Sequence, residues 1–145
     1  MGSDHGGFQM KKELAVFIES LGHEVIDIGS YTDESVDYPI YGRAAAEKVA
    51  GGEADCAVLI CGTGFGLSLA ANKVRGIRCV NCTDVYTAKL SRMHNDSNAL
   101  SLGARVIGIE TAKMIVETWL SAEFEGGRHL PRVNMLREIE EQNIN

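Results

Sequence analysis

Residues 57–66 read Ala57-Val58-Leu59-Ile60-Cys61-Gly62-Thr63-Gly64-Phe65-Gly66 and carry the clearest structural signal in the chain. Together with Cys56, the first half is a continuous apolar run that is too short for a helix, so it predicts a buried central strand. The glycines predict a tight loop after this strand, and the Ser- and Ala-rich residues that follow, to about Lys73, predict a helix. A strand, a glycine-rich loop and a helix in this order are typical of an α/β protein.

The same alternation continues on both sides of this unit. Apolar residues at helical spacing predict further helices, and short apolar runs predict further strands. The predicted helices cover residues 10–21, 41–49, 85–93, 111–120 and 131–140, and the predicted strands cover 24–28, 77–82, 99–102 and 105–109. We therefore expect the α/β class with one doubly wound parallel sheet, a Rossmann-like three-layer αβα arrangement. Ligands of such sheets bind beyond the C-terminal ends of the strands, so functional residues are expected in the loops that follow strands.

The start of the chain departs from this pattern. Asp4-His5-Gly6-Gly7 and the helix after it predict a strand-to-helix turn, yet only three residues precede that turn. We expect the first strand either to be very short or to be shortened in this chain.

Length and charge limit the possible functions. The 145 residues suit one domain, and we expect residues 1–145 to form it with one site per chain. A net charge of -6 leaves no basic face for a nucleic-acid backbone. No apolar run approaches the ~20 residues of a membrane span, and the first residues lack the features of a signal peptide. The sequence therefore predicts a cytoplasmic protein without a nucleic-acid or membrane partner.

Four cysteines, at 56, 61, 79 and 82, are expected to be free thiols in a reducing compartment. Cys79-x-x-Cys82 also raises the possibility of a zinc or redox site. A structural zinc site needs four ligands, and the chain has no second pair at suitable spacing. Moreover, residues three apart on a strand point to opposite faces. We therefore predict no metal site, and interpret Cys56, Cys79 and Cys82 as small buried apolar residues.

The loop after Cys61 is the strongest candidate for chemistry. Its backbone N–H groups and the helix dipole point at one spot, which suits a phosphate, a carboxylate or a developing enolate. A cysteine at its mouth is expected to be partly thiolate near neutral pH, and so a base or a nucleophile. The alternative is a glycine-rich turn beside a buried thiol. Dinucleotide binding is a further alternative, since Gly62-x-Gly64 begins that fingerprint and Asp84 lies at a suitable distance, but position 67 is Leu instead of the third glycine.

Two other polar clusters are candidates. His94-Asn95-Asp96, after the predicted helix 85–93, can supply a proton donor and hydroxyl-binding groups, although a solvent-exposed helix end explains them equally well. Arg128 and Arg132 flank Pro131 at a predicted helix start, where two guanidinium groups suit a phosphate dianion. The alternative for the arginines is a solvated basic turn. In an acidic protein, these two arginines and Arg105 favour a phosphorylated metabolite as the ligand.

Taken together, these residues resemble the ribose-5-phosphate isomerase B family, which also contains allose-6-phosphate and galactose-6-phosphate isomerases. The matching stretches run in family order from end to end: Gly2-Ser3-Asp4-His5-Gly6-Gly7-Phe8, Glu34-Ser35-Val36-Asp37-Tyr38-Pro39, Ile60-Cys61-Gly62-Thr63-Gly64 to Ala70-Ala71-Asn72-Lys73, Ser91 to Asn98, and Glu125-Gly126-Gly127-Arg128-His129 with Arg132. The family reaction is an aldose-ketose isomerisation of a sugar phosphate through a cis-enediolate, without a cofactor.

The resemblance also implies a role for each candidate residue. Cys61 is expected to be the base, and His94, with Thr63, to open the sugar ring. The remaining residues are expected to bind substrate. The enediolate is expected to be bound by the backbone N–H groups of Gly62, Gly64, Phe65 and Gly66, and the hydroxyls by Asp4, His5 and Asn95. The phosphate is expected to be bound by Arg105, Arg128 and Arg132.

Family members work as dimers or tetramers with sites at the subunit interface. Because Cys61, His94 and both C-terminal arginines occur in this one chain, the resemblance implies a homodimer or homotetramer. The last helix, from about residue 131, is then a segment that can pack on a neighbouring subunit. The preferred sugar, ribose or allose phosphate, is left open by the side chains alone. A sugar-phosphate sensor is the non-catalytic alternative, although binding alone has no use for a base.

Overall fold

A computed structural model describes residues 1–143. Four parallel strands form one sheet: β1 (Gly2–Ser3), β2 (Ala57–Cys61), β3 (Cys79–Asn81) and β4 (Ala99–Gly103), in the order β1-β2-β4-β3. The helices are α1 (Phe8–Ser20), α2 (Tyr38–Ala50), α3 (Phe65–Ala71), α4 (Val85–Asn95), α5 (Ile109–Ser121) and α6 (Leu130–Gln142), with a 3₁₀ turn at Gly127–His129 before α6.

Alternation along the strands divides the core into two halves. Val58 and Ile60 of β2 pack with α1, α4 and α5 around Trp119. Leu59 and Cys61, which point the other way, pack with α2 and α3. Helices therefore cover both faces of a parallel sheet, and the predicted doubly wound, Rossmann-like αβα fold is confirmed.

The predicted strand at 24–28 is not a regular strand in the structure. The segment nevertheless runs beside β1, because Ile28 N–H donates to the Met1 carbonyl at 3.0 Å and Ser3 N–H donates to the Gly29 carbonyl at 2.8 Å. β1 has only two residues, so it offers few backbone groups for a longer pairing. The expectation of a very short first strand agrees with this result.

The predicted strand at 105–109 is wrong. The chain turns immediately after β4, because Ala104 N–H donates to the Cys61 carbonyl at 2.8 Å and Arg105 N–H donates to the Gly62 carbonyl at 3.0 Å. These bonds hold the turn against the end of β2, and α5 begins at Ile109. The turn therefore brings Arg105 to the loop after Cys61.

The two ends of the sheet carry different groups of residues. Cys61 ends β2, whereas α4 and α5 each start near the C-terminal ends of the strands and return to the N-terminal ends. A cavity of about 420 Å³ lies at the N-terminal end, between Met1, Cys56, Arg92 and Trp119, and is therefore remote from Cys61. Within residues 1–143, no helix is both long and apolar enough to cross a membrane.

Candidate active site

Cys61 lies at the C-terminal end of β2, and a three-residue loop joins it to α3. Its side chain is 5% exposed, and its Sγ accepts a hydrogen bond from the Gly64 N–H at 3.1 Å. Gly64 has a φ of +84°, in the left-handed region that favours glycine, and this conformation turns its N–H back toward the thiol. The thiol is therefore more buried than expected for a residue at the mouth of the loop. The Gly64 N–H points at its sulfur.

Two side chains from neighbouring strands hold this loop. Asn81 on β3 donates from Nδ2 to the Thr63 carbonyl at 3.1 Å, and Ser101 on β4 donates from Oγ to the Gly64 carbonyl at 2.6 Å. Neither residue was identified from the sequence. The sequence does contain a clue to both, because each is a polar residue inside an otherwise apolar strand. Asn81, for example, lies among Cys79, Val80 and Cys82.

Asp4 and His5 follow β1 and lie at the same end of the sheet. The Asp4 carboxylate is buried and accepts from the Gly7 N–H at 3.1 Å. His5 accepts from the Val36 N–H through Nδ1 at 3.3 Å, which leaves Nε2 to carry the proton of the neutral ring. Gly7 allows the approach of β1 to β2, because a Cβ there would lie 2.0 Å from the Ile60 carbonyl oxygen.

Arg105 completes this group, which we call the Cys61 cluster: Asp4, His5, Cys61 with residues 62–66, and Arg105. The guanidinium of Arg105 lies over Gly62, where a Cβ would meet its Nη1 at 3.2 Å. A positive charge therefore faces the loop whose Gly64 N–H donates to Cys61. This arrangement can bind an anion and stabilise negative charge that develops on a bound molecule.

The second cluster lies at the opposite end of the sheet and contains His94, Glu125, Arg128, His129 and Arg132. His94 and His129 stack with ring centroids 4.1 Å apart, and Glu125 Oε2 lies 3.3 Å from His129 Nε2 and 3.9 Å from His94 Nε2. Burial, with the positive charges of His94 and Arg128, lowers the pKa of His129. We call this group the His94 cluster.

The position of the His94 cluster corrects one expectation. His94 and Asn95 end α4 and lead into β4, so they do not lie in a loop that follows a strand. The Glu125 N–H donates to the Met93 carbonyl at 3.0 Å, which ties the segment before α6 to the same end of the sheet. Arg128 and Arg132 lie at the start of α6, as predicted. Within one chain, the fold thus separates them from Cys61.

Among the described residues, three side chains of the His94 cluster are close enough together to hold a metal ion. His94, Glu125 and His129 offer three ligand atoms that lie within 4.8 Å of one another. Cys79 and Cys82 pack in the two different halves of the core, as their spacing predicted. Burial raises the pKa of Cys79 to about 11 and also raises the pKa of Cys56 and of Cys82, so these three thiols are protonated at neutral pH.

Comparison with known proteins identifies the family. A family model described as Ribose/Galactose Isomerase matches residues 1–136. The chain belongs to this family. The ribose-5-phosphate isomerase B of Escherichia coli (strain K12) is 52% identical over 141 residues, which cover 97% of this chain and 95% of that protein.

Solved structures of family members have the same fold. The ribose-5-phosphate isomerase B of Clostridium thermocellum superposes with a TM-score of 0.96 at 55% identity, covering 97% of this chain and 95% of that one. The enzyme of Mycoplasma genitalium, solved with bound ribulose-5-phosphate, superposes with a TM-score of 0.93 at 36% identity, covering 98% and 95%. This isomerase family member therefore shares its architecture with its relatives over nearly the whole chain.

Proposed function

We propose that this protein is an aldose-ketose isomerase that interconverts ribose 5-phosphate and ribulose 5-phosphate, with the Cys61 thiolate as the base. One observation carries the proposal: the thiol lies at the end of β2, with three residues between it and α3, and its sulfur accepts a backbone N–H at 3.1 Å, a contact that stabilises a thiolate. The reaction needs a base beside groups that stabilise an enediolate. The Cys61 cluster contains both.

The proposed step begins with the open-chain aldose. The thiolate removes the proton on C2, and the electron pair of that C–H bond forms the C1–C2 double bond while negative charge moves to O1. The N–H groups of residues 62–66 stabilise this oxygen, as in an oxyanion hole. The thiol then returns the proton to C1, the O2 proton passes to O1, the electron pair of the O2–H bond forms the carbonyl at C2, and the thiolate is regenerated. No electron acceptor or metal ion enters this sequence, so we propose that no cofactor is required.

The other residues take the roles that the family resemblance implies. Asp4, His5 and Asn95 bind hydroxyls, and Arg105, Arg128 and Arg132 bind the phosphate. His94, with Thr63, opens the sugar ring. The four free cysteines of the chain are consistent with the reducing conditions of the cytoplasm, where we place the protein.

The separation of the two clusters supports a site shared between subunits. Cys61 and His94 lie at opposite ends of one sheet, so both can face the same sugar only when they come from different chains. α6 carries exposed apolar side chains among its charged ones, namely Leu130, Met135, Leu136 and Ile139, and Ile139 is 53% exposed. We therefore propose a homodimer or homotetramer in which the Cys61 cluster of one subunit meets the His94 cluster of another. We propose that residues 1–145 are a single domain whose last helix packs on the neighbouring subunit.

A coupled assay tests the proposal by offering ribose 5-phosphate, ribulose 5-phosphate and allose 6-phosphate to the purified protein. We expect the two pentose phosphates to be interconverted at a rate that metal chelators do not change. Faster turnover of allose 6-phosphate would reassign the substrate to a hexose phosphate. Binding of all three without turnover would contradict an enzyme and support a sugar-phosphate sensor.

A further inference from the structure

The loop after Cys61 depends on side chains that lie outside the family motif. The peptide unit between Thr63 and Gly64 contains both the Thr63 carbonyl, which accepts from Asn81, and the Gly64 N–H, which donates to Cys61. In a trans peptide the C=O and N–H bonds point in opposite directions. Anchoring the Thr63 carbonyl on one side therefore aims the Gly64 N–H at the sulfur on the other.

The next peptide unit is anchored in the same way. Ser101, which is fully buried on β4, donates to the Gly64 carbonyl at 2.6 Å. That carbonyl also accepts from the Ser68 N–H at 3.2 Å, and it shares its peptide unit with the Phe65 N–H, the first backbone donor of α3. The Phe65 N–H makes only a long bond, to Thr63 Oγ1 at 3.4 Å, which a substrate oxygen can replace. Two neighbouring strands thus fix two consecutive peptide units of the loop.

The orientation of the Asn81 amide follows from its neighbours. If the amide were flipped, Oδ1 would replace Nδ2 at 3.1 Å from the Thr63 carbonyl oxygen, placing two acceptors together. In the observed orientation Oδ1 is buried without a hydrogen-bond partner among the described residues, and it lies against Gly64, where a Cβ would be only 2.6 Å away. A buried unpaired acceptor costs stability. A contribution to folding stability therefore does not by itself explain why position 81 is an asparagine.

We propose that Asn81 and Ser101 are positioning residues: Asn81 aims the Gly64 N–H at the Cys61 sulfur, and Ser101 aims the Phe65 N–H toward the developing charge of the substrate. The catalytic consequence rests on the proposed function. The geometric consequence, a more stable Cys61 thiolate, does not, and it can be measured without substrate.

Other titratable and charged side chains near the loop also influence the Cys61 thiolate, so the test variant must leave them in place. Arg105 faces Gly62, Asp4 and His5 follow β1, and the Tyr38 ring of α2 lies against Gly66. Asp84, after β3, accepts from Thr87 Oγ1 at 2.7 Å and from the Thr87 N–H at 2.8 Å, and these two bonds lower its pKa. All five side chains are retained in Asn81→Leu, which replaces the amide by an apolar group of similar size.

The test is the rate at which methyl methanethiosulfonate modifies Cys61 as a function of pH, followed by mass spectrometry of the Cys61 peptide. In Asn81→Leu we expect the pH midpoint to rise by about half a unit to one unit, because the thiolate loses an aligned donor. Asn81→Asp should raise it further, since its carboxylate repels the Thr63 carbonyl oxygen. Cys56, at the other end of the sheet, serves as the internal reference thiol.

Asn72 provides the matched control variant. It also bonds β3 through its amide, donating to the Cys79 carbonyl and accepting from the Cys79 N–H, both at 2.8 Å, but it lies away from Cys61. Asn72→Leu should lower the melting temperature and leave the pH midpoint of Cys61 unchanged. Asn81→Leu should instead raise that midpoint and leave the melting temperature unchanged. An unchanged midpoint in Asn81→Leu, with or without a loss of stability, would overturn the proposal.

Turnover then tests the catalytic part. Asn81→Leu should lower kcat about threefold to tenfold at neutral pH with KM little changed, and its rate should recover at higher pH. Ser101→Ala should lower kcat while the Cys61 midpoint stays near that of the unaltered protein, because Gly64 N–H belongs to the preceding peptide unit. If the unaltered protein turned over no sugar phosphate, the proposed function would fail while the thiol measurement still decided the role of Asn81.

Discussion

Cys61 and Cys79 differ in surroundings although both are buried on the same side of the sheet. Cys61 accepts a backbone N–H, whereas burial raises the pKa of Cys79 to about 11. We expect Cys61→Ser to lower kcat by at least about 10², because a serine hydroxyl is scarcely ionised at neutral pH. KM should change little, since the phosphate contacts remain. Steady-state kinetics and a thermal melt on the same sample measure both effects.

Cys79→Ser is the matched control for that experiment. It places a hydroxyl in the apolar half of the core that contains α2 and α3, so it should lower the melting temperature and leave turnover per folded molecule unchanged. A Cys61→Ser variant that behaved like Cys79→Ser would remove Cys61 from the mechanism.

Arg128 and Arg132 are exposed, and the structure places both at the start of α6. Replacing either by Ala should raise KM by about tenfold to a hundredfold, because each change removes a charge-assisted contact with the phosphate, worth about 1.5 to 3 kcal/mol. The melting temperature should hardly change. Arg43→Ala is a suitable control, since within residues 1–143 the ion pair of Arg43 is with Glu47 alone, on the exposed surface of α2. If KM were the same in both variants and in the control, the phosphate would have to bind elsewhere.

At the scale of secondary-structure elements, the β1–α1 turn packs closely against β2. Gly7→Ala should destabilise the protein by about 1 to 3 kcal/mol, because the new Cβ would lie 2.0 Å from the Ile60 carbonyl oxygen and neither backbone can move freely. It should also lower activity by displacing Asp4 and His5. Urea unfolding measures the loss of stability.

Gly108→Ala is the control for Gly7→Ala. Gly108 has a φ of -77°, and a Cβ there would meet nothing within 4 Å. It precedes α5, so its replacement should cost less than about 1 kcal/mol. Equal losses in the two variants would show that the loss of glycine itself, and not the contact with Ile60, is responsible.

Secondary-structure elements were predicted correctly from the sequence where two independent features of the sequence indicate the same boundaries. For β2 and α3, the length of the apolar run and the glycines after it indicate the same boundaries, and both elements are found. The apolar segments at 24–28 and 105–109 have strand-like composition only. Whether such a segment joins a sheet depends on a partner with free backbone groups, which composition does not reveal. Asn81 and Ser101 were missed for a related reason, since their role depends on the order of the strands.

The candidate site was only half predictable. Residues 61–66 are contiguous, so their juxtaposition follows from local sequence. The position of His94 depends on α4, which carries the chain from one end of the sheet to the other. A motif read along the chain does not show this reversal, and only the topology reveals that His94 and Cys61 lie at opposite ends.

Considered as a whole, the protein should be inactive as an isolated subunit. Cys61→Ser and Arg128→Ala variants, each nearly inactive alone when the substrate concentration is far below KM, should regain activity when unfolded together and refolded as a mixture. With random pairing, about a quarter of the sites receive an intact Cys61 cluster and an intact His94 cluster, so about a quarter of the original activity should return. Refolding each variant alone is the control. If the mixture were no more active than either variant alone, the Cys61 cluster and the His94 cluster would not form one shared site.

The proposed sharing of the site between subunits, with the two clusters at opposite ends of the sheet, also has a genetic consequence. A cell with two damaged gene copies, one altered at Cys61 and the other at Arg128, would still grow where the reaction is essential, although neither allele suffices by itself. Two alleles altered within the same cluster would not rescue each other. Pairwise crosses of such alleles would therefore sort the residues of this chain into two complementation groups, one for each end of the sheet.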